Sequence, residues 1–493
     1  MLSEMSSSKK SKTDTKRASG KTSHRGGKSR DKNNVSNLRR YGKLRAKESD
    51  GKKAGEAKFK ITQEGFIKHL GELISADDII EAGRRLGAIK RQRKVDLPAL
   101  VQATVAAMSP MPGAETSALV NYLSITGVSL VPSSFYDRYS APFAALMREL
   151  AARAIQMVRE VSPADRTVAD YGVLLEQFDD VQVADASALM LRKLAKGWAP
   201  STSRRRPAGI KIHAVYSLRD QVPKAVDITE QRKHDNAALP EETLEPNTLT
   251  FFDLGYLDLE RFVQMTKRGA WFVTRLKRIH NPVIHRVRHG GGQRVKARGM
   301  RLDEALEQQV LQFHPDPGEA HVDLDVWLDD GNQRVLGRVV GVQNEDGERW
   351  WYLLNVDREL LGAEDVAAAY RLRWDIELLF KQLKSGAGLS AVLAWRSSAV
   401  LAFVYAKIVA LCLARLLELS VEKKYGPRAT TQLAILLTLS RSTPLLLGIF
   451  MQQRGVTLAQ LEERIILVAS VVAKSRRQRR ERAKRKQRKA IGK

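Results

Sequence analysis

The sequence predicts an α/β protein: a mixed β-sheet flanked by helices, carrying a β-rich insertion, between an N-terminal and a C-terminal helical region. Three observations carry that prediction. Apolar residues recur at helical spacing through 61–161, strand-like runs surround a helical segment between 181 and 277, and helical spacing returns from Glu364 onward. The chain has 493 residues, 43% hydrophobic and 28% charged, so a sizeable core can form.

Taken in order, Met1–Glu56 is rich in Ser, Gly and Lys and has Tyr41 as its lone aromatic. It cannot bury enough surface to offset its ordering entropy, so residues 1–60 are expected to be a disordered basic tail. Residues 61–161 read as a helical bundle: Phe66, Ile67, Leu70, Leu73 and Ile74 share one face, and Ile79, Ile80, Leu86 and Ile89 continue it. Leu97–Met108, Glu115–Leu123 and Ala141–Val158 follow, with Pro110 and Pro112 as breaks. The segment Arg84–Lys94 interleaves basic and apolar residues, as either a nucleic-acid-contact helix or a solvated helix face does.

The first part of the core spans 162–279. Val181–Asp185 is a short apolar run ending in an acid, and Ile210–Leu218 and Val222–Ile228 flank the turn Arg219-Asp220-Gln221. Thr248–Phe252 leads into Asp253, then a helix from about Leu257 to Lys267, then Trp271–Lys277. In 280–352, Val322, Leu324, Val326 and Leu328 alternate, as do apolar positions from Val335 to Val342, which predicts an inserted β-rich subdomain. The core resumes in 353–390 with one helix, Glu364–Ser385, stopped by Gly386 and Gly388. Residues 391–473 are helical, with Thr457-Leu-Ala-Gln460 as a capping box, and 474–493 form a second basic tail.

The net charge of +28 is unevenly placed. Met1–Lys60 holds 19 Lys and Arg against 6 acids, and Lys474–Lys493 holds 12 against Glu481 alone, leaving +4 for the 413 residues between. Such tails favour polyanions through counterion release, without sequence selectivity. The single cysteine, Cys412, excludes a disulfide framework within the chain and a cysteine-based zinc site. No apolar signal region lies in Met1–Gly20, and the run Ala399–Leu417 is cut by Lys407 and Arg415, so it reads as a buried helix. A soluble, cytoplasmic setting is expected. There is no Gly-x4-Gly-Lys-Ser/Thr phosphate loop.

The most specific pattern is Tyr370, Arg373, Glu377 and Lys384, spaced Y-x2-R-x3-E-x6-K. At about 100° per residue these side chains share a stripe roughly 60° wide. Asp375 points about 160° away from Glu377 and is set aside. For Arg373 and Glu377 alone, an i,i+4 surface ion pair is the simpler account. The pattern, with Lys-Ser-Gly-Ala-Gly at 384–388 behind it, closely resembles the signature of DDE transposases of bacterial insertion sequences, specifically the insertion-sequence-four branch. Asp185 heads Asp-Ala-Ser and Asp253 heads Asp-Leu-Gly-Tyr, matching that family's two other acidic motifs in order and at strand ends. The resemblance implies a ribonuclease-H-like core in which Asp185, Asp253 and Glu377 are the catalytic and metal-binding triad, with Asp185 bridging two Mg²⁺ (or Mn²⁺) ions.

Carboxylates are hard oxygen ligands suited to those ions, and a metal pair serves both the attacking and the leaving oxygen of a phosphodiester. Arg373, Lys384 and Tyr370 would contact DNA phosphates near the cut. Trp351 looks like a tryptophan that stacks on a flipped base, though Trp350 lies beside it. Arg275 and Lys277 are weaker DNA-contact candidates. Asp179, Asp180 and Asp258 read as ordinary solvated acids, and His213 and His234 as structural. The implied activity is cutting of double-stranded DNA at terminal inverted repeats and joining of the ends to target DNA. The implied partners are transposon ends, target and a second protomer in the synaptic complex, with pairing through 391–473, in a bacterial, nucleoid-associated setting. The alternative is a captured, inactive relative that only binds DNA.

Removing Lys474–Lys493 should flatten the salt dependence of DNA binding far more than it changes preference for one duplex over another, as titrations from low to high salt will show.

Overall fold

The computed structural model describes residues 63–89, 95–107, 114–162, 172–235, 241–277, 280–313, 321–329, 334–343, 347–381, 394–425 and 447–457, with 460 and 463–464. The chain divides into Met1–Ala54, outside the described residues, and Gly55–Lys493, to which everything below refers. Both basic tails, Lys384 and the helix stop at Gly386 and Gly388 also lie outside them.

Among the described residues six helices come first: α1 (Gln63–Leu73), α2 (Ala76–Arg85), α3 (Leu97–Val105), α4 (Ala114–Thr126), α5 (Pro132–Tyr136) and α6 (Ala141–Val161). Their starts follow local chemistry. The side chains of Ser75, Asp96 and Ser140 accept from backbone N–H groups of Asp78, Ala99 and Phe143. The basic segment after Arg84 is not one helix: α2 stops at Arg85, Gly87 turns the chain at φ 77°, and Arg85 bonds Glu149 at 2.7 Å.

After α7 (Gly172–Gln177), strands β1 (Asp180–Met190), β2 (Gly209–Ser217), β3 (Val222–Glu230), β4 (Thr248–Phe252) and β5 (Trp271–Arg275) form, with α8 (Leu259–Lys267) between the last two. The next strands are β6 (Val283–His289), β7 (Gly291–Gly292), β8 (Leu311–Gln312), β9 (His321–Asp329), β10 (Arg334–Gln343) and β11 (Arg349–Leu354), with α9 (Leu302–Glu307) after β7. One nine-stranded sheet runs β3-β2-β1-β4-β5-β11-β10-β9-β6. β1, β4 and β5 are parallel to one another, and the remaining pairs are antiparallel.

Two expectations change here. The β-rich stretch 280–352 does not stand apart from the core: four of its strands continue the core sheet from β5 through β11, and only β7 and β8 pair separately, as a short two-stranded sheet. Period-two alternation marks a strand but not its partner, and the free edge of β5 supplied one. Asp185 also sits in the middle of its strand, because Ala186–Met190 pair on with β2 down to Met190↔Gly209.

Alternation along the strands gives the sheet two buried faces. Val181, Val183, Leu249, Phe251 and Val273 join one cluster, whereas Ala184, Phe252 and Phe272 join the other. The first cluster also takes in the N-terminal helices and the long α12 (Ser397–Tyr425), with Tyr139 stacked on Phe403 at 4.9 Å. The two helical regions, separate in the chain, therefore share one core. Ser397–Ser420 is long and apolar enough to cross a membrane, but 89% of its most apolar stretch is buried inside the protein. That apolar surface is occupied by α1, α3 and α6 of the same chain, so it is not free to pair protomers. The capping box is present as read: Thr457 N–H donates to Gln460 Oε1 at 3.1 Å, and Gln460 N–H to Thr457 Oγ1 at 3.3 Å.

A buried ionic network ties the sheet to the helices that follow it. Arg338 donates to both oxygens of Asp323 and to the carbonyls of Val356 and Leu361, and Arg358 bridges Asp323 and Asp325. Arg338→Met should destabilise the fold by about 3 kcal/mol, because Asp323 loses a partner in the interior but keeps Arg358; thermal unfolding measures it.

Candidate active site

Two features of the sheet bring Asp185 and Asp253 together. The parallel pairing of β1 with β4 ends at Ala184↔Phe252, so the next residue of each chain segment is one of the two acids. Carboxyl ends of parallel strands are where α/β sheets hold ligands. Asp185 keeps the parity of Val181 and Val183, so it faces the side on which the last helices pack. Asp253 opens a short 3₁₀ turn, Leu254–Tyr256, without capping it, which leaves its carboxylate available.

The expected single helix is α10 (Ala363–Tyr370), one 3₁₀ turn (Arg371–Arg373) and α11 (Trp374–Lys381). Tyr370 fastens the end of α10 to the sheet: its hydroxyl donates to the Phe252 carbonyl at 3.0 Å, and its ring lies against Phe251 and Tyr352. The tightened turn then carries Arg373 over the two aspartates. Its Nη1 is 3.3 Å from Asp185 Oδ2, its Nε 3.8 Å from Asp253 Oδ1, and its Nη2 3.0 Å from Glu377 Oε1. Three carboxylates 68 and 124 positions apart in the chain thus meet on one guanidinium.

Electrostatics follow from this packing. Burial pushes the Asp185 carboxyl up to about 6, despite the Ala186 N–H at 2.7 Å and Arg373; Asp253 and Glu377 push the same way as burial. Burial works against the charge of Arg373, but Asp253, Asp185 and the bond to Glu377 outweigh it and raise its pKa. Burial, with the nearby Asp253, also drives the Tyr370 phenol upward.

Among the described residues, no three His, Cys, Asp or Glu side chains stand close enough to hold a metal ion as placed. The donor chemistry nevertheless fits one. The three carboxylates are hard oxygen ligands reaching a shared centre, and that centre is filled by the guanidinium of Arg373. A divalent ion could bind there once that cation turns aside.

The other candidates sort themselves by geometry. Arg275 lies exposed at the end of β5, opposite Tyr352, with Lys277 two residues on. Trp351 packs its ring over Gly341, where a Cβ would stand 2.5 Å from it, and meets Phe313 edge-on at 5.3 Å. Trp350 packs instead with the opposite cluster. Asp179 accepts from Asn247 at 3.0 Å, and Asp258 caps α8. Asp180 is not a solvated acid: it is buried and satisfied by Ser217, Gln182 and Lys224. His213 is buried against Thr229 at 2.9 Å, and burial lowers its pKa.

Tyr256, the aromatic of Asp-Leu-Gly-Tyr, received no role from the sequence. Its hydroxyl is buried without a hydrogen-bond partner, and burial, with Asp235, Asp185 and Asp253 nearby, raises its pKa. The motif placed it beside Asp253; its burial was not legible there.

The family model described as a transposase DDE domain matches residues 176–413, which include all three acids. Residues 176–413 therefore carry a DDE transposase domain. It is similar to the transposase for insertion sequence element IS231B of Bacillus thuringiensis subsp. berliner, at 24% identity over 65% of this chain and 72% of that one. It is also similar to that of IS231F from B. thuringiensis subsp. israelensis, at 22% identity over 71% and 78%. A solved piggyBac transposase synaptic complex with hairpin DNA overlaps 82% of this chain and 85% of its own at TM-score 0.40 and 10% identity, too loosely to carry an argument. As a transposase of the insertion-sequence kind, the protein acts in DNA transposition.

Because the folded Asp185 carboxyl titrates near 6 and an unfolded one near 3.8, the wild type loses stability as pH rises through that interval. Asp185→Asn should therefore stabilise the protein by at most about 3 kcal/mol above pH 6. The gain should fade as pH falls towards 4, in thermal melts across that range.

Proposed function

We propose that this transposase cuts double-stranded DNA at the terminal inverted repeats of its own element and joins the freed ends to target DNA. The observation that carries the reading is the convergence of Asp185, Asp253 and Glu377 on one cationic position at the carboxyl end of β1 and β4. The strand order β3-β2-β1-β4-β5, with β1 antiparallel to β2 and parallel to β4, supports a ribonuclease-H-like core.

Asp185, Asp253 and Glu377 would hold two Mg²⁺ or Mn²⁺ ions. Such ions, when bound, activate a water or hydroxyl and stabilise the leaving oxygen. Attack by water on the scissile phosphodiester breaks its P–O3′ bond, freeing a 3′-hydroxyl and leaving a 5′-phosphate on the other strand end; attack by that hydroxyl on a target phosphodiester joins the end and releases the target's own 3′-hydroxyl. The same three carboxylates serve both steps. Arg373, once it leaves them, is a rigid fork for a DNA phosphate beside the cut, and Lys384 would add a second cation. Tyr370 sets the height of the turn that bears Arg373 through its bond to Phe252, and would have to give up that bond for its hydroxyl to reach a phosphate.

Arg275 and Lys277 would hold backbone phosphates farther along the duplex. For Trp351 to stack on a flipped base, its ring would have to leave Gly341 and Phe313. The N-terminal helices would recognise the ends and the basic tails would capture DNA in the bacterial cytoplasm. Two protomers would hold the two ends together through surfaces other than α12, whose apolar side chains its own chain already covers.

Glu377→Gln should abolish Mg²⁺-dependent nicking of a duplex bearing the element's end while leaving binding of that duplex within about twofold. Nicking equal to wild type would remove the carboxylates from the mechanism and leave a DNA-binding protein.

A further inference from the structure

The β1–β2 connection, Leu191–Ala208, contains six Lys and Arg and no acid. It is a built loop. Pro200 and Ala208 pair across its base, Ser201 N–H donates to the Pro207 carbonyl at 3.1 Å, and Arg206 N–H donates to Ser203 Oγ at 3.2 Å. The Trp198 indole donates to the Trp395 carbonyl at 2.8 Å, which ties the loop to the start of α12.

On this frame Lys193, Lys196, Arg204, Arg205 and Arg206 are all exposed, and none has an acidic partner among the described residues. Holding such a cluster in one ordered loop costs self-repulsion that a polyanion would relieve. Arg232 and Lys233 extend the cluster from the end of β3, where Thr202 N–H donates to Gln231 Oε1 at 2.9 Å.

The loop stands at the carboxyl end of β1, the same sheet end as the three acids. Asp185 and Met190 are five residues apart on one strand, about 17 Å at ~3.3 Å per residue. That is about five base pairs of duplex at ~3.4 Å each. The two places are also joined through the end of β3: Asp235, which pairs with Lys211 at 2.6 Å, approaches Gly255 of the Asp253 motif.

We infer that the Leu191–Ala208 loop is a second DNA-backbone contact of this transposase, a folded basic ledge that holds duplex phosphates about five base pairs from the scissile one. Naming DNA as the polyanion rests on the function proposed above. The duplex held there is either the element's own end or the DNA beyond the cut, and the phosphate chemistry is the same for both.

The test uses the full-length chain and its Arg204→Gln/Arg205→Gln/Arg206→Gln variant, with binding to end-bearing duplexes measured against salt in the absence of divalent ions. If the three arginines each neutralise a phosphate, the slope of log K against log salt falls by about 2 to 3 in magnitude, at ~0.9 per phosphate. The thermal midpoint should be unchanged because the three side chains are exposed.

Duplexes with neutral methylphosphonates about five base pairs from the cut, on the element side or the flanking side, assign the source. The side whose neutralisation weakens wild type but not the variant is the one held. An unchanged salt slope, or methylphosphonates on neither side reproducing the variant's loss, would overturn the inference. Neither result depends on strand cleavage, so failure of the ledge and failure of the nuclease reading remain separate.

Discussion

One guanidinium organises the end of the sheet where Asp185, Asp253 and Glu377 meet. Without a cation among them, Asp185, Asp253 and Glu377 would repel at short range in a partly buried setting, and the fold would have to keep them apart. Arg373 removes that penalty by touching all three, at 3.3, 3.8 and 3.0 Å. The elements around it exist to deliver it: β1 and β4 end their pairing side by side, Tyr370 anchors α10 to the carbonyl of Phe252, and a single 3₁₀ turn swings Arg373 over the acids. The site is thus assembled on a cation that belongs to the chain, in the position a catalytic cation would take.

That arrangement gives Arg373 two incompatible partners. In the state described here its donors are committed to carboxylates, whereas the reading as a phosphate ligand needs them turned to DNA. The two would fit one sequence of events if Asp185, Asp253 and Glu377 held a divalent ion in place of the guanidinium, leaving Arg373 free to turn to a phosphate. Burial already lifts the Asp185 carboxyl to about 6, so a cation beside it favours its charged form.

The rest of the fold is stiff where this site needs it to be. The nine strands give the acids a continuous platform, and the Arg338–Asp323–Arg358 network joins the added strands to the segment leading into α10. On the opposite edge the β1–β2 loop carries positive charge outward from the same sheet end.

Much of this was legible in the chain itself. Period-two and helical spacing located β2 to β5, β9, β10, α8 and the buried α12, and the motifs around Asp185, Asp253 and Glu377 marked the acids, because both kinds of signal are local. What needed the tertiary structure was every statement about partners. Only pairing shows that 321–354 continues the core sheet, that Asp185 lies mid-strand, and that Trp351 spends its ring on Gly341. Burial, a property of distant neighbours, turned Asp180 into an interior acid and closed the apolar face of α12 against its own chain. The stripe of Tyr370, Arg373 and Glu377 was written in the spacing. That Arg373 would grip all three acids at once was decided by long-range contacts, which no periodicity encodes.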